Sequence, residues 1–122
     1  MQVFIVEDSE AVRNRLIAMV ESVPGAQIVG HASDAKSAVN NILATNPDLV
    51  VLDITLATGT GFDVLRAVHP RAPQIDFYML SNFATPQYRQ LASSLGARGF
   101  FDKSNEFERM RDAIASRAIW QD

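Results

Sequence analysis

The stretch LVVLD at residues 49–53 decides the fold of this chain. Its first four residues are apolar, a turn sequence Asn-Pro-Asp at 46–48 precedes it, and a carboxylate ends it. A continuous apolar run between turn residues predicts a strand buried on both faces, as in a parallel sheet. Ligands of open parallel sheets bind beyond the carboxyl ends of the strands. Asp53 therefore lies where chemistry is expected, although a loop or helix-capping aspartate would explain this stretch equally well.

Length, charge and composition indicate which classes of protein this chain can belong to. The 122 residues have the length of one domain, and we predict that residues 1–122 form it. With a net charge of −3, the chain lacks the basic balance of a nucleic-acid-binding surface, so no direct nucleic-acid binding is expected. The absence of cysteine excludes disulfides and thiolate metal sites. No signal peptide or membrane-spanning segment is recognisable, so we expect a cytoplasmic protein without membrane contact.

On both sides of this stretch, the sequence predicts strands and helices in alternation. The other predicted strands span residues 3–6, 26–32, 75–80 and 97–101, and the helices begin at the caps Ser9, Asp34 and Ser104, at about Phe62, and at Thr85-Pro86. Such alternation implies parallel strands with right-handed crossovers and helices on both faces. The first and third strands are the most apolar and should be central. The prediction is a flavodoxin-like, doubly wound α/β fold with a five-stranded parallel sheet of order 2-1-3-4-5 and five helices.

This topology brings three acids together. Glu7 and Asp8 leave the first strand, and Asp53 leaves the third, which is its neighbour in the predicted sheet. Two like charges about 4 Å apart repel by roughly 4 kcal/mol at an effective dielectric near 20, so the cluster calls for a cation or a raised pKa. Oxygen ligands without cysteine suit Mg²⁺.

Two further polar residues end the remaining strands of the same rim. Ser81 follows the fourth strand and Lys103 follows the fifth. A hydroxyl and an ammonium beside a metal-bound carboxylate form a site for a transferred phosphoryl group, with Asp53 as the nucleophile. Each residue alone has an ordinary alternative as a helix cap, turn former or solvated side chain, and their joint placement favours the site.

As a set, these residues resemble the receiver domain of bacterial two-component response regulators. That family has an acidic pair after the first strand, an acceptor Asp after the third, Ser or Thr after the fourth and Lys after the fifth. The matching residues are Glu7-Asp8, Asp53, Ser81 and Lys103, supported by Arg13, by Gly61 eight residues past Asp53, and by Gly96-Ala97 before the last strand. The resemblance covers nearly the whole chain.

The resemblance implies a function. A histidine kinase or phosphotransfer protein would phosphorylate Asp53, and Lys103 would contact the acyl phosphate. Asp8 and Asp53 would bind Mg²⁺ directly, Glu7 would assist through water, and Thr55 would supply its backbone carbonyl. The chain would be a signalling phosphoacceptor and not an enzyme beyond its own phosphotransfer and slow dephosphorylation.

The resemblance also implies a switch. Ser81 would move toward the phosphoryl group and Phe100 would follow inward, so a local charge change would bias a two-state element. The surface of the fourth helix, last strand and fifth helix is the expected output surface, for a downstream protein or a homodimer.

The chain departs from the family pattern at several positions. Ala57 and Ser104 stand where proline is common, and Asn82 stands where a small residue is common, which bears on the rate of dephosphorylation. The family's Lys–Pro bond is typically cis, and a non-proline cis bond costs about 3 kcal/mol. We therefore predict a trans Lys103–Ser104 bond or a locally altered loop.

Two alternative functions stay open on the sequence alone. One is a receiver-like binding module that is not phosphorylated. The other is a metal-dependent phosphatase with Asp53 as nucleophile. Other residues are given structural roles: His31 and His69 away from the rim, Arg109, Arg111 and Arg117 on a solvated helix face, and Trp120 as packing or an exposed end.

Overall fold

The computed structural model describes residues 1–119 of the chain. Ten elements alternate in sequence: β1 (Gln2–Val6), α1 (Glu10–Glu21), β2 (Gln27–Ala32), α2 (Ala35–Thr45), β3 (Leu49–Asp53), α3 (Gly61–Val68), β4 (Asp76–Ser81), α4 (Pro86–Ser94), β5 (Gly99–Asp102) and α5 (Phe107–Ile119). Trp120 and the last two residues of the predicted 1–122 domain lie outside the described part.

The strands form one parallel sheet in the order β2-β1-β3-β4-β5. The predicted fold class, strand order and helix number are thereby confirmed. Strands β1 and β3 are adjacent and central, as their apolar sequences indicated, while β2 forms one edge. Because β1 lies between β2 and β3, the chain reverses direction across the sheet between β1 and β3, which is where ligands bind in this fold.

The sheet is covered on both faces. Alternate residues of β3 point to opposite sides, so Leu49 and Val51 join the core under α1 and α5, while Val50 and Leu52 join the core under α2, α3 and α4. All four side chains are fully buried. Burying each contributes about 1.5–3 kcal/mol, which fixes the strand that carries Asp53.

The predicted caps Ser9 and Asp34 are confirmed, and the predicted helix start at Thr85-Pro86 is confirmed with Thr85 as its cap. The side chains of Ser9, Asp34 and Thr85 accept hydrogen bonds from backbone N–H groups three residues ahead, at 3.3, 3.0 and 3.1 Å. These bonds satisfy N–H groups that the first helical turn leaves without partners.

The predicted cap at Ser104 is wrong. Helix α5 begins at Phe107, and residues 103–105 form a turn. The Asp102 carboxylate accepts the N–H groups of Ser104 and Asn105 at 2.7 and 3.2 Å, so it holds this turn before a helix can start. The described residues contain no cis peptide bond, which confirms the predicted trans Lys103–Ser104 bond.

Arg117 does not lie on a solvated face, contrary to the prediction. Its side chain is 24% exposed, and its Nε atom lies 2.7 Å from Oδ2 of Asp76. Arg109, with a side chain 76% exposed, does face solvent. Among residues 1–119, no helix has the length and apolar character needed to cross a membrane.

Candidate functional site

A cavity of about 440 Å³ opens at the carboxyl ends of β1, β3 and β5. Its lining includes Glu7, Asp8, Asp53, Thr55 and Lys103. Five residues predicted from separate parts of the sequence therefore surround one space. Neither histidine contributes to that lining.

The acidic cluster in the cavity is compact. One carboxylate oxygen each from Glu7, Asp8 and Asp53 lies within 4.8 Å of the other two. Glu7 is fully buried and Asp53 is 4% exposed, whereas Asp8 reaches solvent. Like charges this close repel by several kcal/mol even at an effective dielectric near 20, on the order of 3–4 kcal/mol per pair. The arrangement persists only with positive charge or a proton nearby.

Lys103 supplies positive charge. Its Nζ atom lies 2.8 Å from Oε1 of Glu7 and 2.9 Å from Oδ2 of Asp53. The Asp53 contact is a hydrogen bond donated by the ammonium. The Glu7 contact is an ion pair with Oε1, and the other oxygen, Oε2, accepts the Ser9 N–H at 3.1 Å, so both oxygens of the buried Glu7 have partners.

Burial and charge shift two pKa values here. Burial raises the pKa of Glu7 to about 7, and the nearby Lys103 ammonium and the Ser9 N–H only partly offset this effect. Burial lowers the pKa of Lys103, but the Glu7 and Asp53 carboxylates outweigh it, so that pKa is raised overall. Lys103 therefore remains an ammonium, while Glu7 binds a proton more readily than an exposed glutamate does.

The Asp53 carboxylate is held from both of its oxygens. Oδ1 accepts the Thr55 N–H at 3.4 Å, and Oδ2 accepts from Lys103. The following loop is closed where the Gly61 N–H donates to the Ile54 carbonyl at 2.8 Å. At Gly61, helix α3 begins against the backbone of Asp53 itself. The loop thus ties Asp53 to the start of α3.

Gly61→Ala is expected to destabilise the chain by about 1–3 kcal/mol, the usual range for overpacking. A Cβ at this position would overlap the Asp53 carbonyl oxygen and lie 3.0 Å from the carbonyl carbon, and backbone cannot rotate away. Chemical denaturation measures the loss. In Gly99→Ala, the control, the atoms nearest to a Cβ would be ring atoms of Phe101 and Tyr78 at 2.9–3.3 Å, and not backbone, so a smaller effect is expected. Equal effects would contradict the assigned cause.

The predicted switch residues lie apart from the acidic cluster. Ser81 is buried at the end of β4, and its hydroxyl accepts the Phe83 N–H at 2.9 Å. Ser81 does not line the cavity, although its neighbours Leu80 and Asn82 do. Phe100 is partly buried and packs on the core beneath α4. The hydroxyl and the ring are therefore near the site without being part of it.

Sequence reasoning missed two features around the site. The first is an aromatic wall of the cavity: Phe107 lies under the Arg15 guanidinium at 4.0 Å, and Phe83 is 64% exposed. The second is Arg89 on α4, which bonds to Glu106 and to the Phe100 carbonyl. Both depend on distances between elements, for which local sequence carries no signal.

Comparison with known proteins identifies the family. Residues 3–115 match the model of the response regulator receiver domain. This chain belongs to that family. It is thus a receiver domain of the kind found in two-component response regulators, and the receiver-domain resemblance drawn from the sequence is confirmed.

Relatives of this receiver domain agree in sequence and fold. The DNA-binding transcriptional activator DevR/DosR of Mycobacterium tuberculosis is 30% identical over 103 residues, which cover 84% of this chain and 48% of that protein. A LuxR-family two-component response regulator from Aurantimonas is 25% identical, with a TM-score of 0.90 over 98% of this chain and 86% of that chain. The receiver domain spans about half the length of the first-named relative.

A third comparison supports the fold. The chain matched in the CheX-CheY-BeF3-Mg complex of Borrelia burgdorferi has a TM-score of 0.85, and the match covers 100% of this chain and 90% of that one. Its 24% identity supports the fold alone. Other relatives are named protein-glutamate methylesterases, and the match covers only 20% of the first of them, from Geobacter sulfurreducens.

Proposed function

We propose that this receiver domain is a signalling phosphoacceptor that takes a phosphoryl group on Asp53 from a histidine kinase or phosphotransfer protein. One observation carries the proposal. The Lys103 ammonium lies within 3 Å of both Asp53 and Glu7, beside a cavity that is open to an incoming donor. A single carboxylate held between fixed donors is a positioned nucleophile, and the ammonium is placed for the charge of a phosphoryl group.

The reaction requires only one bond to form and one to break. A carboxylate oxygen of Asp53 bonds to phosphorus, the bond from phosphorus to the donor's imidazole nitrogen breaks, and the electron pair leaves with the imidazole. The product is an acyl phosphate. Lys103 stabilises negative charge on the phosphoryl oxygens, and Thr55 holds the carboxylate through its N–H group.

The acidic cluster fits Mg²⁺. Glu7, Asp8 and Asp53 each offer a hard carboxylate oxygen, these oxygens lie within 4.8 Å of one another, and oxygen is the ligand type that Mg²⁺ prefers. We infer that Asp8 and Asp53 bind the ion directly, that Glu7 does so through water, and that the Thr55 carbonyl completes the protein ligands. When bound, Mg²⁺ neutralises charge on the transferring group.

The output of phosphorylation would pass through Ser81 and Phe100. Ser81 would exchange its hydrogen bond with Phe83 for one to the phosphoryl group, and Phe100 would then pack further inward. The surface of α4, β5 and α5 would present this change to a downstream protein or a second copy of the chain. The absence of direct nucleic-acid or membrane binding, and a cytoplasmic location, stay predictions for these 122 residues.

Labelling with a small phosphodonor tests the proposal. Incubation with phosphoramidate and Mg²⁺ should add one phosphoryl group, detected by intact-protein mass spectrometry. Hydroxylamine should remove it, as expected for an acyl phosphate, and chelation of Mg²⁺ should prevent labelling. An unlabelled chain with intact fold would favour the alternative of a receiver-like binding module regulated by partners alone. A label stable to hydroxylamine would place the phosphoryl group on another residue type.

A further inference from the structure

Strand β5 has a free edge. Among residues 1–119 it pairs only with β4, so every second residue of β5 directs its backbone N–H and C=O groups away from the sheet. Lys103 immediately follows this strand, and its N–H donates inward to the Ser81 carbonyl at 2.9 Å. Lys103, which contacts Asp53, therefore comes directly after the strand with the free edge.

Two oppositely charged side chains close this edge. Arg89 donates to the Phe100 carbonyl at 3.1 Å and to Oε1 of Glu106 at 2.6 Å. The same Glu106 oxygen accepts the Asp102 N–H at 3.1 Å, and the Glu106 N–H donates to the Asp102 carbonyl at 2.9 Å. Arg89 and Glu106 thus take the place of a neighbouring strand.

Glu106 is held in its ionised form, and its contact with Arg89 is partly shielded from solvent. The Glu106 side chain is 16% exposed and that of Arg89 is 40% exposed. Hydrogen bonds from Arg89 and Arg109, together with the Asp102 N–H, lower the pKa of Glu106 to about 2. The Arg89 guanidinium also lies 5.1 Å above the centre of the Phe100 ring. These contacts fix the residues on the solvent side of the strand.

The turn after Lys103 is held by the same group of residues. The Asp102 carboxylate binds the N–H groups of Ser104 and Asn105, and the Asp102 backbone is bound by Glu106. Proline has no N–H group, so a proline at position 104 could not donate the 2.7 Å bond to Asp102. This chain therefore restrains the turn with hydrogen bonds where the family pattern has proline.

We propose that Arg89 and Glu106 are positioning residues for Lys103: by closing the free edge of β5, they fix the turn that places the ammonium between Glu7 and Asp53. The proposal rests on the phosphoacceptor function of Asp53, since it assigns these residues to the same reaction. Neither residue lines the cavity of the acidic cluster, so both act through the backbone on either side of Lys103.

The variant Arg89→Met tests this role because it keeps the stem of the side chain and removes both hydrogen bonds. Arg109→Met is the matched control, since Arg109 bonds to the other oxygen of Glu106 at 2.8 Å but not to β5. We expect Arg89→Met to slow labelling by phosphoramidate about tenfold, since even small misplacement of a catalytic group is costly. Arg109→Met should react at the wild-type rate.

A spectroscopic measurement separates positioning from general loss of structure. The sequence contains two lysines, Lys36 and Lys103, so the ε-methylene carbon resonance of each is readily assigned by NMR. In Arg89→Met the Lys103 resonance should move toward that of exposed Lys36, while Arg109→Met should leave it in place. An unmoved Lys103 resonance in Arg89→Met, or equal movement in both variants, would overturn the proposal.

A second pair of variants keeps the test informative if Arg89→Met does not fold. Glu106→Gln retains an oxygen that accepts the Asp102 N–H, and Glu106→Met does not. The labelling rate should therefore decrease from wild type to Glu106→Gln to Glu106→Met, and equal rates for these two variants would overturn the proposal. A wild-type chain that is not labelled at all would instead refute Asp53 as acceptor. The Lys103 resonance tests positioning in either case.

Discussion

Asp53→Asn is expected to abolish phosphoryl labelling completely. An amide is neutral and a poor nucleophile, and it cannot receive the same charge-assisted bond from Lys103, which now lies 2.9 Å from the Asp53 carboxylate. The side chain retains almost the same volume, so the fold should be preserved. Intact-protein mass spectrometry after incubation with phosphoramidate and Mg²⁺ measures the loss, and circular dichroism checks the fold.

Two further variants locate the acceptor. Asp112→Asn makes the same chemical change on α5, where the side chain is 78% exposed, and should be labelled like the wild type. Asp8→Asn removes a proposed Mg²⁺ ligand, so it should slow labelling without removing the acceptor. If Asp53→Asn were still labelled in a hydroxylamine-sensitive form, the acceptor would be another carboxylate, with Glu7 and Asp8 as the nearest, and the assignment of Asp53 would be wrong.

The sequence predicted the convergence of the site because a few apolar residues determine the strand order. Val50 and Val51 are buried on opposite faces, as expected of an interior strand covered on both sides, which favours a place for β3 beside the equally apolar β1. Once these strands are neighbours, Glu7 and Asp53 must leave the same rim. The positions of the acids therefore follow from the pattern of apolar residues, which can be recognised in each short stretch of sequence.

Other parts of the site depend on tertiary contacts that no local pattern records. Arg89 and Glu106 are 17 residues apart and meet only because α4 packs beside β5. Ser104 has a side chain suited to capping a helix, but the Asp102 carboxylate accepts the N–H groups of Ser104 and Asn105 and holds these residues in a turn. The direction of the Ser81 hydroxyl is a choice between side-chain rotamers, and the sequence does not determine it.

Lys103→Met is expected to impair both reaction and stability. Losing one electrostatic donor at a site of developing charge typically slows a reaction by about 10²–10³-fold, and labelling by phosphoramidate should fall in that range. Stability should fall by about 3–5 kcal/mol in the absence of divalent cations, as when one partner of a buried ion pair is removed. The reason is that Glu7 and Asp53 are 0% and 4% exposed and would face each other without the ammonium.

The stability loss should depend on pH in a defined direction. The pKa of Glu7 is raised from 4.5 to about 7 in the folded chain, so between these values the folded state holds a proton that the unfolded state has released. Stability from this group therefore decreases as pH rises through that window. Removing Lys103, which lowers the pKa of Glu7, should extend the window upward.

Denaturation of Lys103→Met at several pH values tests this account. The difference in unfolding free energy from the wild type should be largest well above the Glu7 pKa of about 7 and should shrink as pH falls toward that value, below which Glu7 is protonated in both folded chains. Lys36→Met, in which the only other lysine is changed at an exposed position, should show neither effect. A constant difference across this range would mean that Lys103 stabilises the fold by packing alone. Charge repulsion between Glu7 and Asp53 would then not be the reason that the receiver domain keeps an ammonium beside Asp53.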